Sequence, residues 1–284
     1  MVDKNIFDAD RETAWCPGCG NFPLRKSLAE ALAGLDLSPD RVAMFTGIGQ
    51  AAKMPHYIRI NGFNGLHGRA LPPALGFRMV NPELKVIVES GDGDTYGEGG
   101  NHILHNIRRN PDIAHFVHDN QIYGLTKGQA SPTTGEEIKT EVQPYGITAD
   151  PFNPIKFAVA MGASFVARAF VGNQDHLIEM MQAAIEHEGY ALVDILQPCV
   201  TFNKVNTYQW YSKRSYLLEE DYDPTDYRAA LEKAEEWGEK IPLGVIYKNN
   251  GKTPFRSKFN WLSDGFVRDY KKPAEYKDLM QEFA

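Results

Sequence analysis

Two groups of residues in this sequence have types and spacings that could perform chemistry. The first is the run from Ser90 to Asp94, which reads Ser-Gly-Asp-Gly-Asp, followed by Asn120 after the intervening residues 95–119. Carboxylate and amide oxygens suit Mg²⁺. Glycines let the backbone approach a phosphate closely. Asp92 and Asn120 could therefore bind Mg²⁺, and Gly91 and Gly93 would let a phosphate group approach the backbone; a surface turn at the glycines is the alternative.

The second group is the set of three cysteines, Cys16, Cys19 and Cys199. Three are too few, and too odd in number, for a disulfide framework, and the Cys-x-x-Cys spacing is typical of metal or redox chemistry. Thiolates bind both iron and zinc. A structural zinc site would need a fourth ligand, such as His56, so the residues alone leave iron, zinc and free thiols open.

These residues must be positioned by a regular framework. Apolar segments rich in β-branched residues predict five strands, at residues 42–45, 85–88, 113–117, 164–170 and 191–196. Helical periodicity predicts five helices, at residues 22–35, 71–80, 101–109, 154–161 and 175–187. This alternation indicates an α/β fold, with a mostly parallel sheet covered by helices on both faces. Ligands of such sheets bind at the carboxyl ends of the strands, where Asp92, Asn120 and Cys199 are predicted to lie.

The sequence changes character near residue 200. Residues from 201 onward are more charged and lack a clear alternation of strands and helices. We therefore expect a binding domain over residues 1–200, and a C-terminal extension over residues 201–284 that packs on this body or on a partner subunit.

Charge and hydropathy exclude several classes of function. The formal net charge of -7 argues against a nucleic-acid-binding protein or an anionic-membrane-binding protein. The sequence has no apolar run long enough to span a membrane, and residues 1–13 lack the apolar core of a signal peptide. We expect a cytoplasmic protein.

Three longer motifs narrow the interpretation of the sequence to one family of proteins. They are Trp15-Cys16-Pro17-Gly18-Cys19-Gly20, Leu66-His67-Gly68-Arg69 and the run from Asp119 to Thr133, which reads Asp-Asn-Gln-Ile-Tyr-Gly-Leu-Thr-Lys-Gly-Gln-Ala-Ser-Pro-Thr. Over roughly residues 14–205 the chain resembles the β subunit of 2-oxoacid:ferredoxin oxidoreductases. The resemblance implies a thiamine-diphosphate-binding domain of the type that holds the diphosphate.

The resemblance also assigns roles to particular residues. It implies that the backbone carbonyl of Ile122 is the third protein ligand of Mg²⁺. Lys127 would hold the carboxylate of a 2-oxoacid, with Leu125 beside the reacting part of the cofactor; a solvated lysine is the alternative. His67 and Arg69 would pair with the diphosphate, or simply anchor their loop. The further cofactor contacts expected are Gly47, Ile48, Gly49, Gly68, Tyr123, Gly124 and Thr126.

The cysteines match the family pattern for a [4Fe-4S] cluster near the cofactor, but the match is incomplete. Many members have a fourth cysteine after a Gly-x-Gly turn, where this chain reads Gly47-Ile48-Gly49-Gln50. The cluster could therefore have a non-cysteine ligand, contain three irons, or be absent.

The resemblance implies oxidative decarboxylation of a 2-oxoacid, with CoA taking the acyl group and ferredoxin the electrons, in either direction. We expect 2-oxoglutarate or another larger 2-oxoacid as substrate. An α subunit should supply the pyrimidine-binding domain and its glutamate, in an αβ or (αβ)2 assembly. The alternatives are a non-redox thiamine-diphosphate decarboxylase or synthase subunit, and a metal-binding scaffold.

Overall fold

A computed structural model describes residues 2–259 of the chain. Eight strands form one sheet within these residues: β1 (Val42–Thr46), β2 (Asn61–Asn64), β3 (Lys85–Gly91), β4 (Ile113–Asp119), β5 (Phe165–Phe170), β6 (Tyr190–Leu196), β7 (Ser215–Leu217) and β8 (Ile241–Lys248). Their order is β2-β1-β3-β4-β6-β5-β8-β7. Neighbouring strands are parallel except β5 and β8, which are antiparallel.

Seven α-helices cover the sheet within the same residues. They are α1 (Asn21–Gly34), α2 (Leu71–Val80), α3 (Gly100–Arg109), α4 (Pro154–Ala160), α5 (Gln174–Glu186), α6 (Tyr208–Arg214) and α7 (Tyr227–Glu235). Two separate apolar cores lie on the two faces. Helices α1 and α5 contribute to one core, and α2, α3, α4 and α7 contribute to the other.

Burial on both faces explains the composition of the central strands. Every residue of β4 and β6 is buried, and both strands are mostly apolar. A strand covered by helices on both sides has no solvent face, so its apolar residues form a nearly continuous run instead of alternating with polar ones. The predicted α/β fold, with helices on both faces of a mostly parallel sheet, is confirmed, as are all five predicted strands and all five predicted helices.

Residues from 201 to 259, where the sequence shows no clear alternation of strands and helices, are regularly structured. They form α6, β7, α7 and β8, and β8 extends the sheet by pairing with β5. The signal was weak because β8 contains Pro242 and Gly244, residues that are unusual in strands, and because β7 has only three residues. Edge strand β2 was also missed, since Asn61–Asn64 is polar and fully exposed. The proposed division near residue 200 stays a prediction.

No helix in residues 2–259 combines the length and apolar character needed to span a bilayer. The expected cytoplasmic location stays a prediction.

Candidate functional site

The ends of β3 and β4 form one pocket. The two strands are parallel, with Gly91 opposite His118, so the residues that follow each strand emerge at the same edge of the sheet. The pocket is lined by Ile48, Gly49, Gln50, Ala51, His67, Gly91, Asp92, Gly93, Asp94, Asn120, Ile122, Tyr123, Gly124, Leu125 and Thr126. Twelve of these were predicted from the sequence as cofactor contacts; Gln50, Ala51 and Asp94 were not.

Asp92 is a buried carboxylate of this pocket, with 1% of its surface exposed. Its Oδ2 accepts hydrogen bonds from Ser131 Oγ at 2.5 Å and from Thr133 Oγ1 at 2.6 Å. Burial raises the pKa of Asp92, and the two hydroxyls oppose this rise by stabilising the carboxylate. A cation in the pocket would compensate the same desolvation.

Residues 120–129 form a tight loop against the glycine run. Asn120 Oδ1 accepts a hydrogen bond from the backbone N–H of Ile122 at 3.0 Å. Tyr123 pairs with Gln129 through its backbone, and its hydroxyl donates to the carbonyl of Gly93 at 3.2 Å. A Cβ on Gly93 would lie 2.2 Å from the Tyr123 ring. The glycine at 93 therefore allows the loop to close over the end of β3.

Asp94 connects three loops of the site. Its Oδ1 accepts the backbone N–H groups of Gly68 at 2.6 Å and Ile48 at 3.1 Å, and lies 2.8 Å from His67 Nδ1. Burial raises its pKa, and the two backbone N–H groups lower it. The Asp94 side chain is buried, with 2% of its surface exposed. The tandem Gly-Asp-Gly-Asp was the signal that could have identified it.

Four of the predicted cofactor and substrate contacts do not line this pocket. Arg69 is exposed, and its guanidinium donates to the backbone carbonyl of Glu98 at 3.0 Å. Lys127 is also exposed, at the tip of the loop, with a left-handed backbone φ of 72°. Their contacts with diphosphate and substrate stay predictions. Gly47 and Gly68 are buried behind the pocket, where Gly47 packs against Asp94 and Gly68 against the Glu98 backbone.

The three cysteines line a second pocket. It also contains Trp15, Gln50, Asn120, Gly124, Gln197, Val200, Thr201 and Phe202. All three cysteines are free thiols, and the Cys16–Cys19 turn is closed by a backbone hydrogen bond of 3.0 Å. Burial raises the pKa of Cys19 to about 11; the Asn21 backbone N–H opposes this, and Cys199 and Cys16 add to it. The thiols are therefore close enough to interact electrostatically.

These thiols are not arranged around a single ion. Nowhere in residues 2–259 do three or more His, Cys, Asp or Glu side chains form a group that could hold one metal ion. His56, the histidine considered for zinc, is exposed and does not line the cysteine pocket. The geometry gives no support to a mononuclear zinc site.

The two pockets share a wall made of Gln50, Asn120 and Gly124. The loop after Cys199 packs against this shared wall. Asn203 is buried, and its Nδ2 donates to the carbonyl of Asn120 at 3.3 Å. The Phe202 ring lies 3.0 Å from the position that a Cβ on Gly128 would occupy. The cysteine loop and the cofactor loop are therefore held in a fixed relationship.

Buried charged residues that were not predicted from the sequence lie behind the site. Thr133 Oγ1 reaches Asp119 Oδ1 at 2.9 Å as well as Asp92. Burial raises the pKa of Asp194 to about 6, with Arg168 opposing it. On the other face of the sheet His118 Nε2 lies 2.5 Å from Glu89 Oε2, and both side chains are fully buried. Burial raises the pKa of Glu89, and His118 opposes this.

Several known proteins are similar to this chain. The β subunit of 2-oxoacid:ferredoxin oxidoreductase 1 from Aeropyrum pernix is 46% identical over 83% of this chain and 77% of its own length. The 2-oxoglutarate synthase subunit KorB of Archaeoglobus fulgidus is 35% identical over 84% and 92%. The structure of 2-oxoglutarate:ferredoxin oxidoreductase from Magnetococcus marinus, with 2-oxoglutarate, coenzyme A and succinyl-CoA bound, matches with a TM-score of 0.89. It is 35% identical and covers 100% of this chain and 96% of that one.

Family models agree with the geometry. Residues 43–195 match the thiamine pyrophosphate enzyme C-terminal TPP-binding domain, and residues 199–264 match the C-terminal part of the pyruvate ferredoxin oxidoreductase β subunit. The mostly parallel sheet of this chain, with a buried aspartate and a glycine run at its carboxyl edge, is therefore that of a thiamine-diphosphate-binding domain. The chain belongs to the β subunits of 2-oxoacid:ferredoxin oxidoreductases, a family of oxidoreductases built from several subunits.

Proposed function

We propose that this chain binds thiamine diphosphate and accepts the electrons in a CoA-dependent 2-oxoacid:ferredoxin oxidoreductase. The reaction would convert a 2-oxoacid and CoA to acyl-CoA and CO₂, or run in reverse. One observation carries this proposal: the pocket suited to the diphosphate and the pocket lined by three cysteines share the wall of Gln50, Asn120 and Gly124. A non-redox thiamine enzyme has no use for that juxtaposition.

The residues present fit a magnesium-bound diphosphate. Asp92 supplies a buried carboxylate, Asn120 a side-chain oxygen and Ile122 a backbone carbonyl, all lining one pocket. Hard oxygen donors of this kind are those that Mg²⁺ prefers. A Cβ on Gly91 would meet nothing within 4 Å, so the backbone there is open to a closely approaching ligand. The N–H groups of the glycine run would add neutral hydrogen bonds to the phosphate oxygens.

Thiamine diphosphate, when bound, supplies a carbon nucleophile and an electron sink. The chain's own residues would orient the cofactor and keep water out. Leu125 and Ile48 provide apolar surface in the pocket, and Tyr123 closes the loop over Gly93. Lys127, at the tip of that loop, would hold the substrate carboxylate through its ammonium group. An exposed lysine can adopt this position without the energetic penalty of burial.

The cysteine pocket fits an iron–sulfur cluster. Its donor set is three thiols held by two loops, and thiolates suit iron. Within residues 2–259 the three thiols form no group that could hold a single metal ion, so a mononuclear zinc site has no support. The cluster, when bound, would carry single electrons between the thiamine site and ferredoxin.

The substrate is proposed to be 2-oxoglutarate. The Magnetococcus marinus structure contains that acid with CoA and succinyl-CoA, and it aligns with the whole of this chain. The relatives from Archaeoglobus fulgidus and Mycobacterium tuberculosis also have 2-oxoglutarate in their names.

The pyrimidine-binding half of the site is proposed to come from a second subunit. Activation of thiamine needs a protein carboxylate that is hydrogen-bonded to the pyrimidine ring of the cofactor. In this chain the carboxyl edge of the sheet would already be used by the diphosphate. An α subunit would supply that glutamate, in an αβ or (αβ)2 assembly that leaves the cofactor at the subunit interface.

Co-expression with the α subunit tests this function. The complex should reduce ferredoxin when given 2-oxoglutarate, CoA and Mg²⁺, with lower kcat/KM for pyruvate and branched 2-oxoacids. The chain alone should bind thiamine diphosphate but not turn over. Asp92→Asn should weaken Mg²⁺-dependent cofactor binding in calorimetry by about 10–100-fold. Decarboxylation that reduces no ferredoxin, or full turnover by the isolated chain, would contradict the proposal.

A further inference from the structure

The cysteine pocket has three thiols for a cluster that ordinarily takes four. The chain has three cysteines in total, and all of them line this pocket. No His, Asp or Glu side chain of residues 2–259 lines it with them. Four-iron clusters are usually held by one thiolate at each of their four irons. One iron would therefore need a different ligand.

The side chain of Gln50 carries an oxygen atom that could bind this iron. Its backbone carbonyl accepts a hydrogen bond from Trp15 Nε1 at 3.0 Å, which fixes the residue beside the pocket. Its side-chain Oε1 is buried and has no hydrogen-bond partner. A buried carbonyl oxygen without a hydrogen-bond partner is destabilising, and a ligand bound there would compensate for its desolvation.

A second glutamine in the pocket does not compete equally. Gln197 Oε1 is also buried without a partner, but Gln197 Nε2 donates to Asn21 Oδ1, and Asn21 Nδ2 is unpartnered too. Gln197 is therefore held by Asn21 and does not line the diphosphate pocket, whereas Gln50 lines both pockets.

We propose that Gln50 Oε1 is the fourth ligand of the cluster held by Cys16, Cys19 and Cys199. This inference rests on the iron–sulfur part of the proposed function. A neutral amide in place of a thiolate makes the cluster one unit less negative, which raises its reduction potential. Replacement of thiolates by neutral imidazoles in Rieske centres has the same effect.

The iron bound by Gln50 should also be the one that is lost first. Mild oxidation would take one electron to ferricyanide and release one Fe²⁺, converting [4Fe-4S]²⁺ to [3Fe-4S]⁺. The three remaining irons keep their thiolates. Because Gln50 also lines the diphosphate pocket, the labile iron would be the one that faces the cofactor.

The test uses the αβ complex, reconstituted anaerobically with iron and sulfide. We compare wild type, Gln50→Ala, Gln50→Cys and, as the matched control, Gln197→Ala. Iron and sulfide per chain, the EPR signal of the oxidised three-iron cluster, iron-loss rate in ferricyanide and midpoint potential are measured. Gln50→Ala should lose iron about tenfold faster than wild type. Gln50→Cys should resist the loss and have a lower potential, and Gln197→Ala should lose iron more slowly than Gln50→Ala.

Two results would overturn the assignment, and they can be told apart. If Gln50→Ala keeps the iron content, EPR signal and loss rate of wild type, or if Gln197→Ala changes them instead, Gln50 is not the ligand while the cluster stands. If no variant, wild type included, binds iron and sulfide, the cluster itself and this assignment fail together.

Discussion

Gly47 has no room for a side chain because Asp94 occupies the space beside it: a Cβ on Gly47 would lie 2.0 Å from Asp94 Oδ2. Asp94 in turn holds the backbone of Ile48 and Gly68 through its other oxygen. The residue after the glycine–aspartate–glycine run therefore fixes the loops after β1 and β2 against the end of β3. The two glycines and the aspartate form a single structural unit.

Gly47→Ala should disrupt this unit. The added methyl group must displace Asp94 or shift the backbone, which we expect to lower the free energy of unfolding by about 1–3 kcal/mol and to weaken thiamine diphosphate binding. Urea denaturation and calorimetry measure the two effects. Gly76→Ala is the matched control, since Gly76 lies in α2 with nothing within 4 Å, and alanine there should stabilise the helix by up to about 1 kcal/mol. Equal effects of the two substitutions would argue against the role of Asp94.

Gly91→Ala should separate cofactor binding from stability. A Cβ on Gly91 meets nothing within 4 Å in the chain itself, and its φ is not in the left-handed region. The unliganded variant should therefore keep the wild-type unfolding midpoint, while its Cβ obstructs a diphosphate lying against the backbone. Calorimetry with Mg²⁺ and thiamine diphosphate should show much weaker binding. Unchanged affinity would show that the cofactor does not approach Gly91.

Lys127→Gln should affect the substrate more than the cofactor. If the ammonium group holds the 2-oxoacid carboxylate, its loss should raise KM for the 2-oxoacid about tenfold, equivalent to about 1.4 kcal/mol, and leave thiamine diphosphate affinity unchanged. Steady-state kinetics of the αβ complex measures this. Lys127→Arg keeps the positive charge, so its KM for the 2-oxoacid should stay close to the wild-type value. If Lys127→Gln has the wild-type KM, Lys127 is a solvated loop residue.

His115 should make the protein less stable in mild acid. Burial lowers its pKa to about 3, with a further contribution from His118, while the unfolded chain has a pKa near 6.5. Between these values the unfolded state binds more protons, so stability falls as pH decreases below about 6.5. From pH 7 to pH 5 this single group should lower the free energy of unfolding by about 2 kcal/mol.

Urea denaturation across this pH range compares wild type with His115→Gln. The variant should lose stability at every pH, because Ser90 and Tyr190 lose a hydrogen-bond partner, but its dependence on pH should be shallower. His56→Gln, at an exposed position, should retain the wild-type slope. A slope in His115→Gln as steep as that of wild type would assign the acid sensitivity to other groups.

Much of the site was predictable because it lies where strands end. The Gly91-Asp92-Gly93 run and Asn120 each follow a buried apolar segment, and parallel strands bring their carboxyl ends to one edge of the sheet. The central strands were also predictable, since burial on both faces requires continuous apolar runs. Edge elements were not: β2 and β7 bury little surface, so their sequences need not be apolar.

The sequence by itself determined the fold class, the central strands, the chemistry of the diphosphate edge and the presence of three thiols in two separated segments. Only the tertiary structure decided that the two pockets share a wall, that Asp94 is buried and that Gln50 has a free oxygen beside the cysteines. The physical reason is that residue type and spacing define what a side chain can bind. Whether its donor atoms are already satisfied depends on neighbours brought together from distant parts of the chain.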